Sequence, residues 1–176
     1  MANLDSGSLH PDIIDFSVQS LLDDLDVAFG PLAMGKALRW DVTPCIARVR
    51  SNPVLLERML SNLVDNAIRF TSVGGVVVSS RLSGPSLLLQ VWDTGMGIAP
   101  QYHERVFDAF FREAPDGNRG AGLGLPIVRS GARMLGIDVT LRSVPGRGSC
   151  FSMRVPLAQG AAVRREAVAA SFSSVA

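Results

Sequence analysis

Hydrophobic and polar residues follow two different periods along this chain, and the period predicts the element. Val18, Leu21, Leu22, Leu25, Ala28, Phe29 and Leu32 recur at helical spacing with Asp23, Asp24 and Asp26 outside the stripe. That pattern predicts an amphipathic helix, kinked or restarted at Gly30-Pro31. Leu38, Trp40 and Val42 alternate as in a strand, and residues 45–49 read as a second short one. In residues 53–71 (PVLLERMLSNLVDNAIRFT), Leu55, Leu56, Met59, Leu60, Leu63, Val64, Ala67 and Ile68 form one wide apolar stripe. Asn52 is a good N-cap for this helix, and Pro53 suits its first turn. Residues 76–78 and 87–92 read as a hairpin across Ser83-Gly84-Pro85. A long glycine-punctuated region follows, then a helix over 125–135 with Pro126 in its first turn. Strands over 139–142 and 150–155 close the domain around Pro145-Gly146-Arg147-Gly148. Phe151, Met153 and Val155 point one way there, and Ser152 and Arg154 the other. Residues 1–15 read as an extended lead-in, 16–157 as the domain, and 158–176 as a flexible tail or linker.

Composition narrows the class. With 176 residues, nearly half of them hydrophobic, the chain is long enough to bury a core without staples. A formal net charge of +1 leaves no electrostatic footprint for nucleic acid. No run approaches the length of a membrane span, and the opening residues, lacking a basic-then-apolar pattern, are not expected to act as a signal peptide. Cys45 and Cys150 are too few for a disulfide framework and lack metal-site spacing. The expectation is a soluble α/β domain of a reducing compartment.

The chemistry concentrates on one helix face and two glycine segments. Arg58, Asn62, Asp65, Asn66 and Arg69 share the polar face of the 53–71 helix. Two carboxamides one turn apart, with an acid and a base beside them, are unusual for a solvated stripe, although a polar surface would read the same way. Residues 93–98 (DTGMGI) stand at the end of a hydrophobic strand, where Asp93 can accept from an exocyclic amine and the glycines let a ring approach the backbone. A plain strand-to-loop turn is the alternative. Residues 120–125 (GAGLGL) lead into a helix N-terminus, an anion site by its free N–H groups and dipole, or otherwise a flexible loop. This string fails the dinucleotide fingerprint, whose third glycine would fall at Leu125. The match of residues 30–36 (GPLAMGK) to a phosphate loop is discounted, because Ala37 stands where a hydroxyl should ligate magnesium and the segment follows an amphipathic helix.

Taken in order, residues 62–71 (NLVDNAIRFT), 93–98 (DTGMGI), 106–112 (VFDAFFR), 120–125 (GAGLGL) and 145–151 (PGRGSCF) closely resemble the N, G1, F, G2 and G3 boxes of bacterial sensor histidine kinases. The resemblance is to their catalytic, ATP-binding domain. It covers roughly residues 15 to 157, and residues 4–9 look like the end of that family's dimerisation helix.

The resemblance implies a Bergerat-type two-layer α/β sandwich, with a mixed, mainly antiparallel sheet of about five strands on three helices. It implies ATP and Mg2+ as ligands. Asn66 would bind magnesium through its side-chain oxygen with Asn62 nearby, Arg69 would face phosphate, and Phe70 would lie against adenine. Asp93 would take the adenine amino group, with Gly95, Gly97 and Ile98 lining its approach. A lid over about residues 99–120 would be anchored by Phe107, Phe110 and Phe111. Gly120, Gly122, Leu123, Gly124 and Leu125 would form the phosphate segment, with Gly122 and Gly124 offering N–H groups. Arg112 and Arg119 are further candidates for γ-phosphate contact, each open to a structural ion-pair reading.

Partners follow from the same resemblance: a histidine-bearing dimerisation domain of the parent kinase, and a response-regulator receiver domain downstream. This fragment would be a cytoplasmic monomer and its parent a homodimer, with membrane anchoring of the parent left open. The acceptor histidine is expected outside this chain; His10 and His103 resemble the acceptor motif only faintly. In the related hydrolytic ATPases a glutamate precedes the magnesium asparagine by one turn and activates water. Asn62 occupies that place here and cannot act as a base, which favours phosphoryl transfer to a neutral imidazole. The alternatives are a non-catalytic nucleotide-binding or docking module of the same fold, and a hydrolytic ATPase.

Overall fold

Helix α1 (Val18–Gly35) buries Val18, Leu21, Leu22, Leu25 and Ala33, and Ser17 caps its start by accepting from the Gln19 N–H at 3.3 Å. In this computed structural model, which describes residues 11–111 and 123–159, the helix runs through Gly30-Pro31 without restarting. Val27 and Leu32 flank Pro31 on the solvent side, where water can serve the carbonyl that the proline ring leaves without a donor. Gly30 is buried because the Trp40 indole packs over it, and Trp40 Nε1 donates to Asp26 Oδ1 at 2.6 Å.

Strand β1 (Ile14–Ser17) emerges from the stretch expected as an extended lead-in. It pairs antiparallel with β3 (Arg48–Ser51) as a separate two-stranded sheet. The second short strand therefore lies later than residues 45–49 and does not join the main sheet. Its burial alternates, with Val49 and Ser51 inward, so its side-chain period was right even though its partner was not legible locally.

The main sheet has the order β2–β4–β5–β7–β6, with β2 (Arg39–Val42), β4 (Gly75–Ser83), β5 (Ser86–Asp93), β6 (Asp138–Val144) and β7 (Gly148–Pro156). Among the described residues the β2–β4 pair alone is parallel; the other neighbours in this sheet are antiparallel. The β4–β5 hairpin turns at Gly84, whose φ of 60° is one that glycine adopts without strain. Phe151, Met153 and Val155 face the helices, as the alternation predicted.

Helix α2 (Pro53–Phe70) lies across β4 and β5 and buries Leu56, Met59, Leu60, Leu63, Val64, Ala67 and Ile68. Asn52 caps it, accepting from the Leu55 N–H at 2.9 Å. Helix α3 (Gly124–Leu135) packs on α2 at Gly131, where a Cβ would meet Met59 Sδ at 2.7 Å. That close approach sets the start of α3 beside the polar face of α2.

Candidate functional site

The polar face of α2 is built by helical periodicity. Asn62 Nδ2 donates to the Arg58 carbonyl at 2.7 Å, and Arg69 pairs with Asp65 at 2.7 Å one turn back. Asn62 and Asn66 are half-buried, because the first residue of α3 lies against both. A Cβ on Gly124 would sit 3.2 Å from Asn62 Oδ1 and 3.3 Å from Asn66 Nδ2. Leu123, at the N-cap of α3, supplies no side-chain cap. Helix N–H groups and the positive end of the dipole are thus presented next to two carboxamides.

Asp93 organises the opposite end. Its Oδ1 accepts from the Gly95 N–H at 2.8 Å and the Ser149 N–H at 3.2 Å, and among the described residues no hydrogen bond reaches Oδ2. Burial pushes the carboxyl above its ordinary value, opposed by the two backbone N–H bonds. Gly95 is required here: a Cβ on it would lie 2.4 Å from the Phe70 carbonyl oxygen. Gly97, with φ of 68°, runs against the Val144 carbonyl. Ile98 is held by its N–H to Ser143 Oγ at 2.7 Å.

These two ends share one helix. Phe70 is four residues beyond Asn66, about 6 Å along the axis, and its carbonyl receives the Met96 N–H at 3.3 Å. A cavity of 350 Å³ opens at this junction, lined by Arg69, Phe70, Ser72 and Val73 on one side and Thr94, Gly95 and Met96 on the other. Neither Asn66 nor Asp93 lines it. Phe70 is 43% exposed, leaving its ring free to meet a ligand.

The segment expected as a lid begins with short 3-10 turns at Pro100–Tyr102 and Arg105–Phe107. Phe107 anchors it, packing edge-on against Phe151 at 6.2 Å. Phe111 meets Tyr102 at a tilt, ring centroids 5.4 Å apart, and lies under Arg105. Phe110 instead is 73% exposed, with φ of 64°. Asp108 pairs with Arg129 of α3 at 3.3 Å. Arg112, Arg119, Gly120, Gly122 and His10 lie outside the described residues. His103 contacts the Ile98 carbonyl through Nε2 at 3.1 Å, while Leu123 and Leu125 flank Gly124 at the start of α3.

Three contributors were not foreseen. Ser149 supplies a donor to Asp93, Ser143 supports Ile98, and Lys36 of the discounted phosphate-loop match ends at the C-terminus of α2, where its Nζ donates to the Ile68 carbonyl at 2.6 Å. None carries a signal in local periodicity; each is defined by a partner at least 32 positions away.

Comparison with known proteins bears on the family and the fold. Residues 51–159 match the family described as histidine kinase-, DNA gyrase B-, and HSP90-like ATPase. The sensor histidine kinase RcsC of Salmonella typhimurium is 33% identical over 89% of this chain and 17% of its own length. The sensor protein CreC of Escherichia coli is 38% identical over 68% of this chain and 26% of its own. The chain thus spans only a small part of these relatives. Full-length ShkA in complex with AMPPNP superposes with a TM-score of 0.75 and 28% identity, over 86% of this chain and 32% of that one. The catalytic domain of histidine kinase ThkA superposes with a TM-score of 0.71 at 23% identity, over 82% of this chain and 95% of that domain, and supports the fold. The mixed, mostly antiparallel five-stranded sheet with its three helices is the fold of a histidine kinase catalytic domain, and the chain belongs to the histidine kinase-, DNA gyrase B-, and HSP90-like ATPase family.

Proposed function

We propose that this chain is the ATP-binding catalytic domain of a two-component sensor histidine kinase, transferring the γ-phosphoryl group of ATP to a histidine on a separate dimerisation and phosphoacceptor domain. The observation that carries the reading is Asn62. One turn before Asn66 it places a carboxamide, which donates to the Arg58 carbonyl and cannot deprotonate water. A neutral imidazole acceptor already has a lone pair, so transfer asks of the protein mainly position and charge neutralisation.

The donor set suits the ligands. Asn66, with Asn62 beside it, offers the hard side-chain oxygen that magnesium accepts alongside water and phosphate. When bound, the ion would neutralise charge on the triphosphate. Gly124 adds no side chain over the half-buried carboxamides at the start of α3, whose N–H groups would receive phosphate oxygens. Arg69 would face phosphate from the last turn of α2, and Phe70 would stack on the base. Asp93 Oδ2 would accept from the adenine amino group, because Oδ1 is already committed to Gly95 and Ser149. Gly122 and Gly120, with Arg112 and Arg119, complete the proposed phosphate and lid contacts. The partners are the histidine-bearing hairpin of the parent and a receiver domain; this domain would act as a monomer carried by a homodimeric, cytoplasm-facing parent.

The test is transfer in trans. Incubated with γ-labelled ATP and magnesium, the chain should remain unlabelled while the parent's histidine hairpin, added separately, becomes labelled. Fast phosphate release with no transfer would instead mark a hydrolase. Absence of nucleotide binding would mark a docking module.

A further inference from the structure

The carbonyls at the C-terminal end of α2 lie beyond the reach of helical donors and must find others. Here each has one. Thr71 Oγ1 donates to Ala67 at 2.7 Å, and the Met96 N–H to Phe70 at 3.3 Å. The Lys36 ammonium donates to Ile68 at 2.6 Å, Arg69 at 3.2 Å and Thr71 at 3.0 Å. All three donors of that ammonium are used on one helix end, where a positive charge also meets the negative pole of the dipole. Lys36 is itself the C-cap of α1, its N–H reaching the Ala33 carbonyl at 3.1 Å. The end of α1 is thereby clamped to the end of α2.

We infer that Lys36 is a positioning residue for the nucleotide pocket: its ammonium holds the last turn of α2 so that Arg69 and Phe70 face the cavity and the Phe70 carbonyl meets the Gly95–Met96 turn. The inference rests on the reading of that cavity as the nucleotide site. Among the described residues the Lys36 ammonium meets only main-chain carbonyls at the end of α2. It acts through a carbonyl cluster whose fraying would move both Arg69 and Phe70, and with them the turn carrying Asp93. Arginine is an imperfect substitute, since a planar fork does not aim three N–H groups from one nitrogen at converging carbonyls.

The full chain carrying Lys36→Met should bind Mg–ATP about tenfold more weakly at a temperature where it is fully folded, the scale of losing charged hydrogen bonds. Amides of residues 68–73 should exchange faster in the absence of nucleotide. Lys36→Arg should recover part of both. Trp40→Phe, which removes the bond to Asp26 at the same α1–β2 junction, should lower the melting temperature without changing affinity. If the parent chain binds Mg–ATP and Lys36→Met binds it equally well, the positioning role is overturned and the functional reading stands. Equal affinity losses in Lys36→Met and Trp40→Phe would overturn it too, as general loosening. If the unsubstituted chain fails to bind ATP, the functional reading falls, and the positioning role with it.

Discussion

Gly124 rests on Asn66: a methyl group built on it would lie 3.3 Å from Nδ2 and 3.6 Å from Oδ1 of that carboxamide, and 3.2 Å from Oδ1 of Asn62. With no side chain at the first residue of α3, neither carboxamide is crowded from that side. Alanine in place of Gly124 should therefore separate folding from binding. Alanine restricts the unfolded chain, worth about 0.4–1 kcal/mol where the native φ suits it, which offsets the crowding. The expected outcome is a melting temperature within a few degrees of the parent, with magnesium-dependent ATP affinity reduced; calorimetric titration with and without magnesium reads both parts.

Asn66→Ala should remove the magnesium-dependent increment of ATP binding while leaving the fold intact, since the side chain is half-buried and makes none of the hydrogen bonds described above. Removing such a ligand should weaken Mg–ATP at least tenfold, about 1.5–3 kcal/mol for an interaction with a charged group. Affinity that is unchanged in the presence of magnesium would argue against the role of Asn66.

Asp93 gives a pH dependence with a definite sign. Burial raises its native value above the ordinary 3.8, so between those two values the native state holds more protons than the unfolded chain. Its contribution to stability is then greatest below 3.8 and is lost as pH rises through the native value. Asp93→Asn keeps an oxygen for the Gly95 and Ser149 N–H groups but cannot titrate. Its melting temperature relative to the parent should rise as pH is increased across that window, in thermal unfolding followed by circular dichroism. The same variant should bind ATP more weakly, because its amide would turn a donor toward the adenine amino group.

Phe107→Ala should detach the base of the lid segment from the sheet. The ring is partly buried and meets Phe151 edge-on, so truncation should cost about 2 kcal/mol. Thermal melts should show a drop of several degrees, and limited proteolysis should find earlier cleavage near residues 100–111.

The exposed pair Arg129–Asp108 marks the opposite case. Asp108 is largely open to solvent and Arg129 partly so, and such pairs contribute under about 1 kcal/mol. Arg129→Ala should leave the melting temperature nearly unchanged, and a larger loss would mean that the pair holds the lid segment to α3.

How much of this was legible beforehand depended on distance along the chain. The apolar stripe of α2, its Asn52 cap, the β4–β5 hairpin and the two faces of β7 follow from periods that repeat within a few residues. The order of the glycine and asparagine boxes carried the family and the candidate site. At Gly30-Pro31 a kink and a restart could not be told apart locally; α1 runs on, because the cost of proline in a helix is local while the packing of α1 against α2 is not. The second short strand was misplaced because pairing with Ile14–Ser17 joins segments separated by α1.

By itself, the sequence determined most of the buried faces, although Ala28 and Leu32 of the α1 stripe are exposed, together with where helices start and which residue types stand ready for nucleotide chemistry, since these are properties of neighbouring residues. Only the tertiary structure decided which groups meet. Ser149 reaches Asp93 across 56 positions, Lys36 reaches the end of α2 across 32, and Gly124 settles between two asparagines because Gly131 lets α3 press onto Met59. Hydrogen-bond partners of this kind are chosen by how layers pack, and packing is a property of the whole chain at once.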